Sequence, residues 1–365
     1  MTAGRTIKSA WVILIFTMGC QPQSDFENRI DSIFRASLKS GEPGGAILIL
    51  KGDRVLFSRQ YGVADLDTQM KITSETLFNT GSISKTFVAY TIFILAKEGK
   101  LSLQDSLAKY FSDFKNPEIA NHVRIEHLLT HTSGLPDNRR QFLDSLFLLT
   151  AKDQENFSPI KQADSLVFEP GTRYEYSNPA FNGLALIIEQ VTGRKWQEVV
   201  KEKIFVPSGM TSSVITDGPF PQTGVAHAYL RKGNSFIEKD YGEEPTFAAA
   251  GNGGVWSSVN ELVSYERAIR NHLFLDAETI ANSRTIQSFP DWKDDPPFIG
   301  YCWFITEYNG VTIISHTGTQ GGFYGDYVSI PDKNLLYVML CNIPTPQEEK
   351  RNQVLAVLQE FNWFD

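Results

Sequence analysis

Strand-like runs stand near both ends of this chain, and a long stretch of helix and loop separates them. Near the start, GGAILILKGDRVLFSRQYG has the pattern of two strands around a Gly52-Asp53 turn. Near the end, FIGYCWFITEYNGVTIISHTG and GDYVSIPDKNLLYVMLCN each predict a hairpin, with turns at Asn309-Gly310 and at residues 331–334. A sheet whose strands come from both ends of a chain is antiparallel or mixed, with helices packed on it. The sequence therefore predicts an α+β fold.

The predicted helices either flank this sheet or belong to the insertion. Residues 25–39 have helical spacing, and SISKTFVAYTIFILAKEG is apolar on most faces, which predicts a buried helix ending near Gly99. The clearest helices of the insertion are NGLALIIEQVTG, KWQEVVKEKIF and SVNELVSYERAIRNHLF, the last capped by Ser257 or Ser258. TPQEEKRNQVLAVLQEF predicts a closing helix.

The composition is that of an ordinary globular protein. Of the 365 residues, 42% are hydrophobic and 21% are charged, so the chain can bury a sizeable core. A net charge of -8 without any basic stripe argues against nucleic acid as a partner. We expect one domain over residues 20–365, with a sheet part (25–100 and 298–365), a mostly helical part (101–297) and a cleft between them.

The first twenty residues predict an export signal. Arg5 and Lys8 precede the apolar run AWVILIFTM, which is too short to span a bilayer. A Gly-Cys pair then ends at Cys20 and resembles a bacterial lipoprotein cleavage site, although Thr17 stands where Leu is usual. We expect residues 1–19 to be a signal peptide, and Cys20 to carry a lipid that anchors the protein in the periplasm or cell envelope. Ordinary cleavage near Cys20 and an uncleaved anchor are the alternatives.

Two further cysteines, Cys302 and Cys341, lie in strand-like runs. They could pair across neighbouring strands, or both could be buried free thiols. The cysteines have no metal-ligand spacing.

A Ser-x-x-Lys pattern places a hydroxyl and an amine on one face of a helix, where the amine can activate the hydroxyl. The pattern alone is weak, because it occurs four times, at Ser82/Lys85, Ser106/Lys109, Ser112/Lys115 and Ser158/Lys161. The Ser112 and Ser158 pairs lie in loop-like sequence, and Ser106/Lys109 lies on an ordinary amphipathic turn. Only Ser82/Lys85 follows a strand-like segment and opens a strongly apolar helix, where loss of hydration makes a lysine a possible base. The alternative to a catalytic pair is a purely structural one, in which Ser82 caps the helix and Lys85 snorkels towards solvent.

Two later motifs support this choice. Tyr176-Ser177-Asn178 precedes a helix, and His316-Thr317-Gly318 ends a strand. Penicillin-recognising serine hydrolases carry three motifs in a fixed order: Ser-x-x-Lys, then Ser/Tyr-x-Asn, then Lys-Thr-Gly on a strand. The tripeptide at 39–41, KSG, matches the third motif more closely, but it precedes Ser82 and ends a helix.

With these motifs, FNTGSISKTF, IEHLLTHTSGLP, FEPGTRYEYSNPAF, AAAGNGGVWSSVNEL and ISHTGTQGGF resemble the blocks of one family, in its order. The chain resembles the serine β-lactamase-related superfamily: class C β-lactamases, D-Ala-D-Ala carboxypeptidases and related esterases. The resemblance implies a β-lactamase/transpeptidase-like α+β fold with the active site in the cleft. It also implies a monomer without a cofactor or metal, acting on a small-molecule or peptide substrate, which could derive from peptidoglycan.

The same resemblance implies site roles. Ser82 would attack a carbonyl and form an acyl-enzyme, with Lys85 and Tyr176 sharing the acid and base work; which of the two is the base stays open. Asn178 would hold Lys85 and bind the substrate amide. His316, Thr317 and Gly318 would line the substrate site, and the backbone N–H groups of Ser82 and Thr319 would form the oxyanion hole. Taken singly, Tyr176 could instead be a buried aromatic residue and Asn178 a helix N-cap.

The third motif departs from the family pattern, because His316 stands where β-lactamases and carboxypeptidases carry Lys. Histidine is largely neutral at pH 7, whereas a lysine ammonium suits a substrate carboxylate. Esterase- or peptidase-like hydrolysis is therefore favoured over true β-lactamase activity. The competing hypothesis is a catalytically silent homologue that binds cell-wall fragments or a protein partner.

His127 and His131 lie four residues apart on a predicted helix, a spacing that can bind zinc. Glu126 precedes His127, so the sequence lacks His-Glu-x-x-His. The block resembles the family's HLLTHTSGL, in which one histidine packs and another fixes the following turn. Glycine-rich GNGGV and GTQGGF lack the lysine of a P-loop, and we expect their backbone to pass close to substrate.

Overall fold

The computed structural model describes residues 21–137, 151–218, 220–238, 249–290 and 298–364. The predicted signal peptide and the lipid attachment at Cys20 lie outside these residues. The described strands are β1 (Gly45–Lys51), β2 (Arg54–Tyr61), β3 (Phe78–Asn79), β4 (Val214–Ile215), β5 (Tyr229–Lys232), β6 (Ser235–Glu238), β7 (Val255–Ser257), β8 (Phe298–Ile299), β9 (Phe304–Tyr308), β10 (Val311–Gln320), β11 (Phe323–Ile330) and β12 (Leu335–Cys341).

The longer helices are α1 (Gln21–Arg35), α2 (Ser84–Lys97), α5 (Asp153–Lys161), α6 (Asn178–Thr192), α10 (Val259–Arg270) and α12 (Gln347–Glu360). The shorter ones are α3 (Pro117–His122), α4 (Ile125–Leu129), α7 (Trp196–Val200), α8 (Val206–Ser208), α9 (Ala250–Gly253) and α11 (Ala277–Ser283). A π-helix (Lys201–Phe205) joins α7 to α8, and 3₁₀ turns occur at Gly81–Ile83, Leu107–Lys109 and Pro331–Lys333. None of the helices in the described ranges is both long and apolar enough to cross a membrane.

The main sheet confirms the prediction that both ends of the chain build it. Its seven strands run in the order β2-β1-β12-β11-β10-β9-β8, and all neighbours are antiparallel. The predicted hairpin turns form because their residues accept a left-handed backbone: Asn309 and Gly310 have φ of 49° and 79°. β1 lies beside β12, so the first and last hairpins close one continuous sheet.

Alternating residues of the strands face two separate cores. In β1, Ile47 and Ile49 pack with α1 and α12 on the outer face of the sheet. Leu48 and Leu50 face the larger core, which includes α2. Residues 84–95 of α2 are all buried, as expected for a helix that is apolar on most faces. The helix lies between the sheet and the helical part and ends before Gly99, whose φ is 69°.

Four details of the sequence predictions were wrong. The helical part also contains β4–β7, too short to leave a clear alternating pattern. Ser158 and Lys161 lie on α5 instead of in a loop, and Lys161 is buried against Asp113. Cys302 lies in the turn between β8 and β9 instead of a strand. It and Cys341 are buried free thiols.

The fourth wrong prediction is that His127 and His131 lie on one helix. α4 ends at Leu129, so His127 and His131 do not share a helix. His131 has a φ of 57°, in the left-handed region. Among the described residues no group of three His, Cys, Asp or Glu side chains could hold a metal ion.

Candidate active site

Ser82 lies on the 3₁₀ turn that leads into α2, and hydrogen bonds to β7 fix this turn. The Thr80 N–H and hydroxyl both donate to the Val255 carbonyl, at 2.9 Å each. The Val255 N–H in turn donates to Ser84 Oγ at 3.0 Å. The turn is therefore held from both sides while the Ser82 side chain stays partly exposed.

Lys85 is fully buried one turn further along α2, beneath Ser82. Its Nζ donates to Ser82 Oγ at 2.9 Å, which is the contact that the three-residue spacing predicts. It also donates to the Asn252 carbonyl at 2.7 Å, and it lies 5.2 Å from the centre of the Tyr176 ring. The structural alternative of a snorkelling lysine is wrong, because the Lys85 amine points inward.

Tyr176 is the third group at this point, since its ring lies against Lys85 Nζ and its hydroxyl interacts electrostatically with Ser82. Burial raises the pKa of Tyr176 well above its ordinary value, and the interaction with Ser82 only partly opposes this shift. Tyr176 therefore holds its proton at neutral pH.

His131 positions the loop that carries Tyr176. Its ring stacks on the Tyr176 ring with centroids 4.3 Å apart, and its Nδ1 accepts from the Ser177 N–H at 3.0 Å. Its carbonyl accepts from the Glu175 N–H at 2.8 Å. Burial, and then the charge of Lys85, lower the pKa of His131 well below its ordinary value. This histidine therefore fixes the Tyr-x-Asn loop as a neutral ring.

Asn178 is the first residue of α6 and is partly buried. The N-cap is Ser177, whose Oγ accepts from the Ala180 N–H, so the alternative of a capping Asn178 is wrong. The contact of Asn178 with Lys85 stays a prediction. The Asn252 carbonyl, which sequence reasoning missed, is an acceptor of Lys85; the only signal was that GNGG would bring backbone close to the site.

Strand β10 passes the 3₁₀ turn Gly81–Ile83 at very short range. We call this turn the nucleophile turn, because it carries the candidate nucleophile Ser82. A Cβ on Gly318 would lie 1.9 Å from the Thr80 carbonyl oxygen and 3.3 Å from the Ser82 nitrogen. A Cβ on Gly81 would lie 2.7 Å from the Thr319 nitrogen. The structure thus brings the backbone nitrogens of Ser82 and Thr319 to the same place, as an oxyanion hole needs. Only glycine fits at these two contacts.

His316 is buried, with 1% of its surface exposed. Its Nδ1–H donates to the Thr317 carbonyl at 2.6 Å, so Nε2 carries the lone pair. Burial, and then the charge of Lys85, lower the pKa of His316 to about 3. Within the described part of the chain Nε2 has no hydrogen-bond partner. The position thus offers an acceptor where the family pattern has a cation.

A buried carboxyl group supports the loop that holds Lys85. Asp153 Oδ1 accepts from the Gly251 N–H at 2.8 Å and from the Asn182 amide at 2.6 Å, and Oδ2 accepts from the Trp196 indole at 3.0 Å. The Asn252 amide donates to Asn182 Oδ1 at 3.0 Å. Burial raises the pKa of Asp153 to about 6, although these bonds oppose the shift. The network links α5 and α6 to the Asn252 carbonyl.

An antiparallel sheet flanked by helices, with Ser-x-x-Lys opening a buried helix and a strand motif beside it, defines the class as the serine β-lactamase-related superfamily. The chain belongs to the beta-lactamase family, whose model matches residues 30–360.

Individual relatives agree with this assignment. Protein flp of Staphylococcus aureus is 30% identical over 333 residues, which are 88% of this chain and 64% of flp, so the chain spans somewhat less than two-thirds of that relative. The octameric penicillin-binding protein homologue from Pyrococcus abyssi superposes with a TM-score of 0.76 at 25% identity, covering 93% of this chain and 77% of that one. D-amino acid amidase from Ochrobactrum anthropi shares the fold, with a TM-score of 0.77 at 19% identity over 93% of this chain and 99% of the amidase.

Proposed function

We propose that the protein is a serine hydrolase that cleaves an ester, amide or peptide through an acyl-enzyme on Ser82. The observation that carries this proposal is the contact between Ser82 Oγ and a fully buried lysine amine, at 2.9 Å. A buried amine next to a partly exposed hydroxyl is the arrangement that activates a serine nucleophile. The close approach of β10 to the turn of Ser82 supports an oxyanion hole formed by the backbone nitrogens of Ser82 and Thr319.

The raised pKa of Tyr176 suggests how the protons move. Once substrate is bound and the Lys85 ammonium has released a proton to water, the resulting amine takes the Ser82 proton as Oγ bonds to the carbonyl carbon. When the tetrahedral intermediate collapses, Tyr176 gives its proton to the leaving group and is reprotonated by the Lys85 ammonium. Water then attacks the acyl-enzyme, giving a proton to Lys85 that finally returns to Ser82, so the cycle closes without an external acid.

The neutral His316 favours substrates that do not depend on a carboxylate. A substrate anion gains little from an uncharged imidazole, whereas an ester or amide group can hydrogen-bond with it. We therefore propose esterase- or peptidase-like chemistry rather than true β-lactamase activity, on a small-molecule or peptide substrate.

Active-site labelling tests the proposal directly. A fluorescent fluorophosphonate and a fluorescent penicillin are applied to the wild type, Ser82→Ala and Lys85→Ala. We expect at least one probe to label the wild type, Ser82→Ala to lose the label, and Lys85→Ala to label at least 100-fold more slowly. The matched control is Ser106→Ala, which removes the serine of another Ser-x-x-Lys pair whose lysine bonds Asp105 at the surface. A wild type that neither probe labels would support the silent, ligand-binding homologue instead.

A substrate panel separates the activities. We expect p-nitrophenyl butyrate or D-alanyl peptides to be cleaved with a higher kcat/KM than nitrocefin. Nitrocefin turnover far above that of both others would overturn the preference for esterase- or peptidase-like chemistry, while leaving the Ser82 mechanism intact.

A further inference from the structure

Gln320, the last residue of β10, lies on the same face of the strand as His316 and Gly318, because alternate residues share a face. Gly318 on this face touches the nucleophile turn at Thr80 and Ser82. His316 and Gln320 therefore flank the nucleophile from opposite directions along the strand. The proposed mechanism uses no group of Gln320.

The side chain of Gln320 is held against the loop that binds Lys85. A Cβ on Gly253 would lie 1.7 Å from Gln320 Oε1, so the carboxamide occupies the place that a side chain at 253 would take. Gly253 directly follows Asn252, whose carbonyl holds Lys85. On the other side, Phe323 pairs with Gln320 across the hairpin and packs on Trp256, with ring centroids 5.3 Å apart.

The amide nitrogen of Gln320 is a buried donor without a use in the described residues. The side chain is 8% exposed, and Nε2 has no hydrogen-bond partner there. Leaving such a donor unpaired destabilises the fold, and nearly all buried polar groups are paired. A methionine or leucine would fill the same volume without this cost. The donor therefore suits a bound acceptor better than it suits the fold.

We propose that Gln320 determines acyl-group specificity by donating a hydrogen bond from Nε2 to an acceptor oxygen on the acyl chain of the substrate. This inference rests on the proposed hydrolysis at Ser82 and narrows it: the preferred acyl group carries a carbonyl along its chain, as an N-acylated amino acid or an oxo acid does. A plain alkyl chain of the same length leaves the donor unpaired.

Two esters of equal chain length test this specificity, p-nitrophenyl pentanoate and p-nitrophenyl 4-oxopentanoate. We expect the wild type to prefer the oxo ester by about tenfold in kcat/KM, the ratio expected of one added hydrogen bond. Gln320→Met should bring the ratio close to one, chiefly through loss of activity on the oxo ester. Gly253→Ala should do the same, because its Cβ displaces the carboxamide. Equal ratios in the wild type and Gln320→Met, or no preference in the wild type, would overturn the proposal.

The matched control is Gln347→Met. Gln347 donates to the Gly318 and Gly325 carbonyls, so it touches the same strand without lying between Gly253 and Phe323. We expect this variant to change kcat/KM for both esters alike and to leave their ratio unchanged. A ratio that falls in Gln347→Met as far as in Gln320→Met would assign the effect to general damage to β10 and contradict a specific donor.

Binding separates this inference from the proposed function. The p-nitroanilides of the same two acids are titrated calorimetrically into Ser82→Ala protein, where no acyl-enzyme can form. We expect tighter binding of the oxo anilide, and equal affinities in the double variant with Gln320→Met. If neither ester is hydrolysed and Ser82 stays unlabelled, the proposed function fails, and this affinity ratio alone decides the role of Gln320. Equal affinities in Ser82→Ala protein would contradict it.

Discussion

At the scale of single residues, burial decides what His316 can do. Its ring is buried, and it lies close enough to Lys85 for the lysine charge to oppose protonation of the ring. The hydrogen bond from Nδ1–H to the Thr317 carbonyl fixes the tautomer. A surface histidine would be about half protonated near pH 6.5, but this one stays neutral until far below that pH. It thus acts as a constant acceptor, not as a pH-dependent cation.

This neutrality predicts how selectivity responds to pH. We expect the ratio of kcat/KM for p-nitrophenyl hydrogen glutarate, whose acyl group is anionic, over p-nitrophenyl pentanoate to stay within twofold between pH 8 and pH 6. With a pKa of about 3, His316 gains no charge in this window. A ratio that rises about tenfold as the pH falls to 6 would show a titrating cation, and loss of that rise in His316→Asn would identify it as His316.

Residue-scale contacts were predictable from the sequence only where they are local. The Ser82–Lys85 contact follows from three-residue spacing at a helix start. The Ser158/Lys161 pair has the same spacing and a buried lysine, yet Lys161 is neutralised by Asp113, which lies 48 residues away. The Asn252 carbonyl is likewise 167 residues from Lys85. Such partners depend on how distant segments pack, and no local pattern encodes them.

At the scale of elements, the approach of β10 to the nucleophile turn predicts contrasting effects of two glycines. Gly318 and Gly325 are directly paired in β10 and β11. A methyl group on Gly318 would meet the Thr80 carbonyl at 1.9 Å. One on Gly325 would meet side-chain ends of Ile83 and Leu340 at 3.1 Å, and its nearest backbone atom is 3.8 Å away. Backbone cannot yield as easily as a methyl group can rotate, so only the first change should separate β10 from Ser82.

We therefore expect Gly318→Ala to reduce the fluorophosphonate labelling rate of Ser82 at least 100-fold, and Gly325→Ala to change it less than fivefold. Circular dichroism should show that both variants remain folded. Equal labelling of the two variants would contradict the inferred role of β10 in the oxyanion hole.

The buried Asp153 predicts a coupled loss of stability and activity. Asp153→Ala leaves three buried donors without an acceptor, which should lower the free energy of unfolding by about 3 kcal/mol or more. The Asn252 carbonyl should shift with its loop and lower kcat/KM at least tenfold. Urea unfolding and ester hydrolysis measure the two effects. The control is Asp164→Ala at an exposed ion pair with Lys115, where we expect less than about 0.5 kcal/mol. An equally small effect in both variants would contradict the supporting role of Asp153.

Hairpins and long helices were predictable because their signals are local. Asn309-Gly310 supplies its own left-handed turn, and α10 begins after the predicted cap Ser258, whose Oγ accepts from the Glu261 N–H. Strands β4–β7 escaped prediction because they span two to four residues each. β3 and β4 both pair with β7, which lies far along the chain, so the local sequence of neither strand predicts that it forms.

At the scale of the whole molecule, the strand patterns at both ends were enough to predict one sheet built from the two termini, because hairpins with a buried face at each end of a chain can share a single core. The order of the strands was not predictable in this way. That β12 lies between β1 and β11 follows from which hydrophobic faces pack on α1 and α2, and both cores form only in the folded chain.

Buried neutral histidines predict that the folded protein loses stability in mild acid. Burial lowers the pKa of His127 to about 4 and of His316 to about 3, and it lowers that of His131 well below normal. Below pH 6.5 the unfolded chain binds protons at these sites and the native protein does not, so the free energy of unfolding falls as the pH falls. The raised pKa values of Asp153 and Asp326 act in the opposite direction, because the native protein binds those protons first.

The three histidines with lowered pKa values outweigh the two carboxyl groups with raised ones. We therefore expect the free energy of unfolding to fall by roughly 1–3 kcal/mol per pH unit between pH 6 and pH 5. Urea unfolding at pH 7, 6 and 5 measures it. The contribution of His127 can be measured with the variant His127→Gln. Nδ1 of His127 accepts from the Arg124 N–H, and the amide oxygen of glutamine can replace that acceptor without titrating. We expect the variant to lose about 1.4 kcal/mol less per pH unit than the wild type over this range. Parallel curves would mean that His127 has the same proton affinity folded and unfolded, and would contradict the assignment of acid sensitivity to buried histidines.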